Sequence, residues 1–86
     1  MPWKLHYDPG AFKELGKLDK AVQRKIKDYL AEVCQLEDPA TRGHSLTGPW
    51  AGFHRYRLGQ IRIIVSIERA EVTIVVIKIN RRDTVY

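Results

Sequence analysis

From residue 53 onward, apolar side chains recur at every second position through three runs, 53–58, 61–67 and 72–79, the last two dense in β-branched residues. A period of two belongs to pleated strands with one buried face. The links between the runs, Gly59-Gln60 and a turn around residues 68–71, are too short for a crossover helix, so neighbouring strands run antiparallel as a meander. Such a sheet needs a second layer over its apolar side.

The first half of the chain supplies that layer. Trp3-Lys4-Leu5-His6-Tyr7 alternates apolar and polar residues like a short strand, and Asp8-Pro9 stops it. Asp8 is a good N-cap with Pro9 at the first helical position, which predicts a helix over 9–17 that buries Phe12 and Leu15, with Leu18 packing the corner. Asp19 is expected to cap a second helix over 20–35, where Val22, Ile26, Leu30 and Val33 form one apolar stripe with Tyr29 beside it. Glu37-Asp38-Pro39 ends that helix. Residues 40–52, with Gly43, Gly48, Gly52 and Pro49, read as a loop pinned by Leu46 and by Trp50 as a core plug, while Trp3 anchors the first strand. The expected fold is α+β over residues 1–86 as one domain: an N-terminal strand, a two-helix hairpin, then a three-stranded antiparallel meander (βααβββ), with the helices packed on one face of the sheet.

An 86-residue chain has room for one core. Its formal charge is +5, and residues 53–86 hold seven basic against three acidic residues, which favours a polyanionic partner such as RNA or DNA. No apolar run approaches the roughly 20 residues that span a bilayer, so a cytoplasmic location without membrane contact is expected. Cys34 is the only cysteine and sits on the helical stripe, where a buried small hydrophobe is expected. No His/Cys/acid spacing suggests a metal, and no cofactor motif is present.

Lysine and arginine are segregated: six of seven lysines fall in the first 27 residues, and six of eight arginines in the last 34. Lysines interleaved with acids suit solvated helix faces, whereas the planar fork of arginine fits phosphate oxygens. With a two-residue turn at Gly59-Gln60, Leu58 faces Ile61, Arg57 faces Arg62 and Arg55 faces Ile64. Ile61, Ile63, Val65 and Ile67, with Leu58, Val72, Ile74 and Val76, then form the helix-covered side. Arg55, Arg57 and Arg62 look the other way. Like charges opposed across strands cost roughly 0.2–1 kcal/mol per pair, so keeping three there suggests that their field is used, against the plainer reading of a solvated sheet face.

The open side is expected to be floored by Ile64, Val75, Ile77 and Ile79, with the C-terminal Arg81, Arg82 and Tyr86 reaching the same hollow. Guanidinium groups gathered there would stabilise the pentacoordinate phosphorane formed when a ribose 2′-hydroxyl attacks its own phosphate, and that cleavage needs no metal. Tyr86 could stack on a base or pack on the sheet end. Lys78, Arg82 and His54 are further candidate RNA contacts, Arg82 competing with a surface pair to Asp83. Alternation turns His54 toward the helices unless a bulge beside Gly52 rotates it back, and a buried histidine bonded to a neighbour is the rival reading. His6 and His44 stand in no constellation.

Leu46-Thr-Gly, Gly52-Phe-His-Arg-Tyr-Arg-Leu-Gly-Gln-Ile-Arg-Ile-Ile and Ile79-Asn-Arg-Arg-Asp-Thr-Val-Tyr86, following a strand and a helical hairpin, resemble the RelE/ParE superfamily of toxins, nearest its RelE branch. The resemblance implies a toxin of a type II toxin–antitoxin pair that cuts mRNA in the ribosomal A site. Its implied partners are the ribosome and mRNA, an acidic antitoxin encoded next door, and operator DNA only through the antitoxin complex. By motif, Arg55 and Arg57 stand where studied members carry two lysines, while Arg62 matches the arginine ending the G-x-x-R step, Arg81 the arginine after the last strand and Tyr86 the tail tyrosine, so the resemblance implies catalytic roles for all five. Arginine does not readily release a proton, so if Arg55 replaces a lysine general base the 2′-hydroxyl proton must go to another group, His54 being the nearest candidate in sequence. Asn80 replaces the usual histidine before the tail arginine. The apolar floor of Ile64, Val75 and Ile77 would suit an antitoxin segment. A ParE-like toxin of DNA gyrase and an inactive homologue that binds only antitoxin or operator are the alternatives.

Overall fold

A computed structural model describes residues 2–81 of the chain. The order is β1 (Lys4–Tyr7), α1 (Pro9–Gly16), α2 (Lys20–Gln35), β2 (His44–Ser45), β3 (His54–Leu58), β4 (Ile61–Glu68) and β5 (Thr73–Arg81). Turns of 3₁₀ helix at Pro39–Thr41 and Gly48–Trp50 flank β2. The strands make one sheet in the order β1-β5-β4-β3-β2, in which β1 lies parallel to β5 and the other pairs are antiparallel. The α+β class, the meander and the helical hairpin on one face are as expected. The addition is β2, inside a segment read as loop: two residues are too few to show a period.

Both helices start where the sequence places them. Asp8 Oδ2 accepts from the Gly10 amide at 3.3 Å, with Pro9 at the first helical position. Asp19 occupies the N-cap of α2 but makes no side-chain cap bond. The corner is held instead by Gln23, whose Nε2 donates to the Leu18 carbonyl at 2.8 Å. Ala11 and Leu15 of α1 and Ile26, Leu30, Val33 and Cys34 of α2 pack against Tyr56, Ile61, Ile63, Val65, Ile74, Val76 and Ile79 of the sheet. Each fully buried aliphatic side chain there is worth about 1.5–3 kcal/mol. Trp3 packs on this core as expected, and its amide donates to the Cys34 carbonyl.

Two aromatic expectations fail. Phe12 is 63% exposed and meets Tyr7 edge-on, because the inward face of α1 belongs to Ala11 and Leu15. Trp50 is not a core plug; it stacks edge-on against Phe53 with centroids 5.5 Å apart.

A β-bulge in β5 decides which side chains share the open face. Ile64 pairs with Lys78 and Val65 with Val76, which leaves Ile77 as the extra residue. Beyond it the phase of β5 is inverted. Ile79 pairs with Ile63 and enters the helix-side core, where the unbulged register had placed it on the open side. Lys78 and Asn80 take its place facing away from the helices. Here β5 extends past the end of β1, and α1 caps the exposed edge. Glu14 Oε1 accepts the Ile79 amide proton at 2.9 Å, and Glu14 Oε2 lies 3.5 Å from Lys78 Nζ.

Val72 also departs from expectation. It lies outside β5 at φ 50° and 39% exposed, not in the helix-covered row. Its amide closes a turn onto the Arg69 carbonyl at 3.1 Å, and that reversal demands a left-handed residue.

Candidate functional site

The hairpin register sets the site. Arg57 is opposite Arg62 and Arg55 opposite Ile64, as the two-residue turn predicts, and Gly59 supplies the positive φ of 61° that the turn needs. Continuing across the sheet, Arg62 pairs with Asn80, while His44 of β2 pairs with Arg55. Two adjacent rows therefore face away from the helices: Arg57, Arg62 and Asn80, then His44, Arg55, Ile64 and Lys78. Four cationic side chains, one amide and one imidazole share this surface.

Three nitrogen atoms on these rows are buried without a hydrogen-bond partner among the described residues: Arg55 Nε, Arg62 Nε and Asn80 Nδ2. Asn80 is only 7% exposed. All three atoms are donors, so their only satisfying partner is an acceptor, and the surrounding charge favours an anionic one. Buried donors left unmade cost about 1–3 kcal/mol each, a cost that an incoming oxyanion would remove.

A cleft of about 300 Å³ opens at the β3 edge, between Tyr29 of α2 and Gly43, His44, Arg55 and Arg57. Gly43 is fixed there at φ 72°: a Cβ would run into the Arg55 carbonyl and come within 2.9 Å of Tyr56 Cδ1. This close approach lets β2 begin beside Arg55.

Other expected site residues lie elsewhere. Arg81 pairs with Ile61 and, with Val22 and Lys25 of α2, lines a separate groove on the helix side of the sheet; the bulge turned it there. His54 is 5% exposed on the helix side, where its Nε2 donates to the Arg42 carbonyl and its ring meets Tyr56 edge-on at 5.2 Å. This is the helix-side placement that strict alternation predicts, with the ring bonded to a neighbour and away from the open face. Lys78 does face the open side, although Glu14 holds it. Ile64 is completely covered and offers no apolar floor to a partner, whereas Val75 and Ile77 are half-buried and partly accessible. Arg82 and Tyr86 lie outside the described residues.

The remaining described basic residues nearby serve the scaffold. Arg42 Nη1 meets Glu32 at 2.9 Å and lies 5.7 Å from the Tyr29 ring centre; the Glu32 hydrogen bond raises its already high pKa. Arg69 pairs with Asp38 at 3.1 Å, and Asp38, accepting chiefly from the Ala40 amide, stays ionised below the usual carboxylate range. Burial pushes the Tyr56 phenol up, and it donates to the Pro39 carbonyl at 2.8 Å. Sequence reasoning missed His44 and Asn80. The alternation of Lys78 and Asn80 with Ile77 and Ile79 was the available signal, because it places polar residues where Ile74 and Val76 had set the core face.

A family model described as ParE toxin of type II toxin-antitoxin system, parDE, matches residues 5–86. No curated protein sequence matches the chain. A free-state mutant of the Escherichia coli toxin RelE is 27% identical, with TM-score 0.78, over 96% of this chain and 86% of that one. The RelBE2 toxin–antitoxin complex of Mycobacterium tuberculosis matches with TM-score 0.87 at 20% identity over 98% and 95% of the two chains. The archaeal RelE–RelB complex from Pyrococcus horikoshii matches with TM-score 0.78 at 24% identity over 99% and 100%. At those identities the last two likenesses speak for the fold.

Proposed function

This chain belongs to the ParE toxin family of type II toxin–antitoxin systems, and from that premise we propose that it cuts mRNA in the ribosomal A site. The observation that carries this reading is the set of buried, unpartnered donors Arg55 Nε, Arg62 Nε and Asn80 Nδ2 beside Arg57 on one open sheet face. A scissile phosphate supplies acceptors only. As the ribose 2′-oxygen bonds to phosphorus and the bond to the 5′-oxygen breaks, negative charge grows on the two non-bridging oxygens, which these donors would then bond. The products are a 2′,3′-cyclic phosphate and a 5′-hydroxyl end.

A cognate antitoxin is the second partner in this reading. An acidic segment laid over the arginines, with apolar contacts to Val75 and Ile77, would compete with RNA for the same charges. Cleavage of a message on programmed ribosomes tests the proposal. Wild-type protein should yield discrete 3′ ends in the A-site codon, and Arg57→Met or Arg62→Met should lower the rate by about 10²-fold or more. Message left uncut by the wild-type protein, or cut at the wild-type rate by both variants, overturns it.

The family description favours a second reading, a ParE-like toxin that acts on DNA gyrase without cutting RNA. In that case induction gives gyrase-linked DNA breaks and leaves mRNA intact. A harmless induction would instead mark an inactive homologue.

A further inference from the structure

The proposed reaction needs an acceptor for the 2′-hydroxyl proton, and the guanidiniums that dominate the site cannot take it. Resting on that reading, we infer that His44 is the general base. Three observations place it. The β2–β3 register sets His44 directly opposite Arg55 on the open face. The cleft of about 300 Å³ is lined by His44 together with Arg55, Arg57 and Tyr29, so a ribose whose phosphate meets the arginines lies within reach of the imidazole. The side chain is exposed and makes no hydrogen bond among the described residues, which leaves a ring nitrogen for substrate.

The two other histidines, Glu14 and Glu68 are excluded by position or engagement. His54 faces the helices and is committed to the Arg42 carbonyl. His6 lies on β1, at the opposite edge of the sheet from β2. Glu14 is engaged by Ile79 and Lys78, and Glu68, at the far end of β4 from Arg62, by the Ser66 hydroxyl. Gly43 explains how a two-residue strand holds its histidine steadily: its left-handed backbone lies against Arg55 and fixes the chain one residue before His44.

In the step, an imidazole nitrogen takes the 2′-hydroxyl proton as the new O–P bond forms. The departing 5′-oxygen takes a proton from water, and the imidazolium returns its proton to solvent. No oxidant or metal enters the balance.

The test is single-turnover cleavage on programmed ribosomes with wild type, His44→Ala and His44→Gln, alongside ribosome binding by each. Both variants should bind ribosomes like wild type and cut about 10²–10⁴-fold more slowly. Millimolar imidazole should partly restore His44→Ala, since the emptied cleft can admit it. Wild-type rates in His44→Ala, or a loss with no imidazole rescue, overturn the assignment while leaving the nuclease reading intact. A wild-type protein that cuts nothing overturns the nuclease reading itself and this inference with it.

Discussion

Replacing Arg62 with methionine should make the protein more stable and less active at once. Arg62 faces Arg57 across the hairpin, and opposed like charges cost about 0.2–1 kcal/mol. Its Nε is buried without an acceptor, and a buried unmade donor costs about 1–3 kcal/mol. The residue as a whole is half-buried, so its outer nitrogens keep water and the lower part of each range applies. The expected gain is about 1–2 kcal/mol. Methionine keeps an unbranched apolar stem over the sheet, which alanine would lose. In a chain of this size ~1 kcal/mol moves Tm by about 4–8 °C. Urea and thermal unfolding of antitoxin-free wild type and Arg62→Met would measure the difference. Raising salt from about 0.1 to 1 M shortens the screening length from about 10 to 3 Å; the repulsive share should vanish and the buried-donor share remain. A variant that unfolds at lower urea than wild type would refute the reasoning, because Arg62 would then be making favourable contacts within the free protein.

Glu14→Ala should cost about 2 kcal/mol, chiefly the charge-assisted bond to the Ile79 amide, with the partly exposed Lys78 pair adding little. Glu14→Gln keeps an acceptor and should recover more than half; equal urea midpoints for Glu14→Ala and wild type would contradict this. Val72→Gly should stabilise by about 0.5–1 kcal/mol, since relief of the left-handed φ exceeds the backbone entropy of glycine. Thermal unfolding decides it, and a lower Tm would show that burial of Val72 outweighs its strain.

Much of the site was legible because a two-residue turn leaves one register, so Arg57 against Arg62 followed directly from the spacing of Gly59-Gln60. The position of Arg81, Ile79 and Asn80 did not follow, because the extra residue in β5 carries no glycine and no turn signal. It accompanies a bond between Ile79 and Glu14, 65 residues apart in sequence. Local pattern cannot encode such a contact, although the phase reversal between Val76 and Lys78 records its effect. His44 was hidden for a different reason. A strand of two residues has no period, and only the close approach at Gly43 shows where that segment attaches.

The pairing of Lys4 with Thr73 joins the two ends of the described chain in a parallel ladder. Among the described strand pairings it closes the longest loop, and so carries the largest closure entropy. A nascent copy that ends before Thr73 lacks Ile74, Val76 and Ile79 from its interior, and Lys78 and Asn80 from its charged surface. No folded copy can therefore hold the core without the complete cationic face: the strand that fills the interior also carries the last row of that surface.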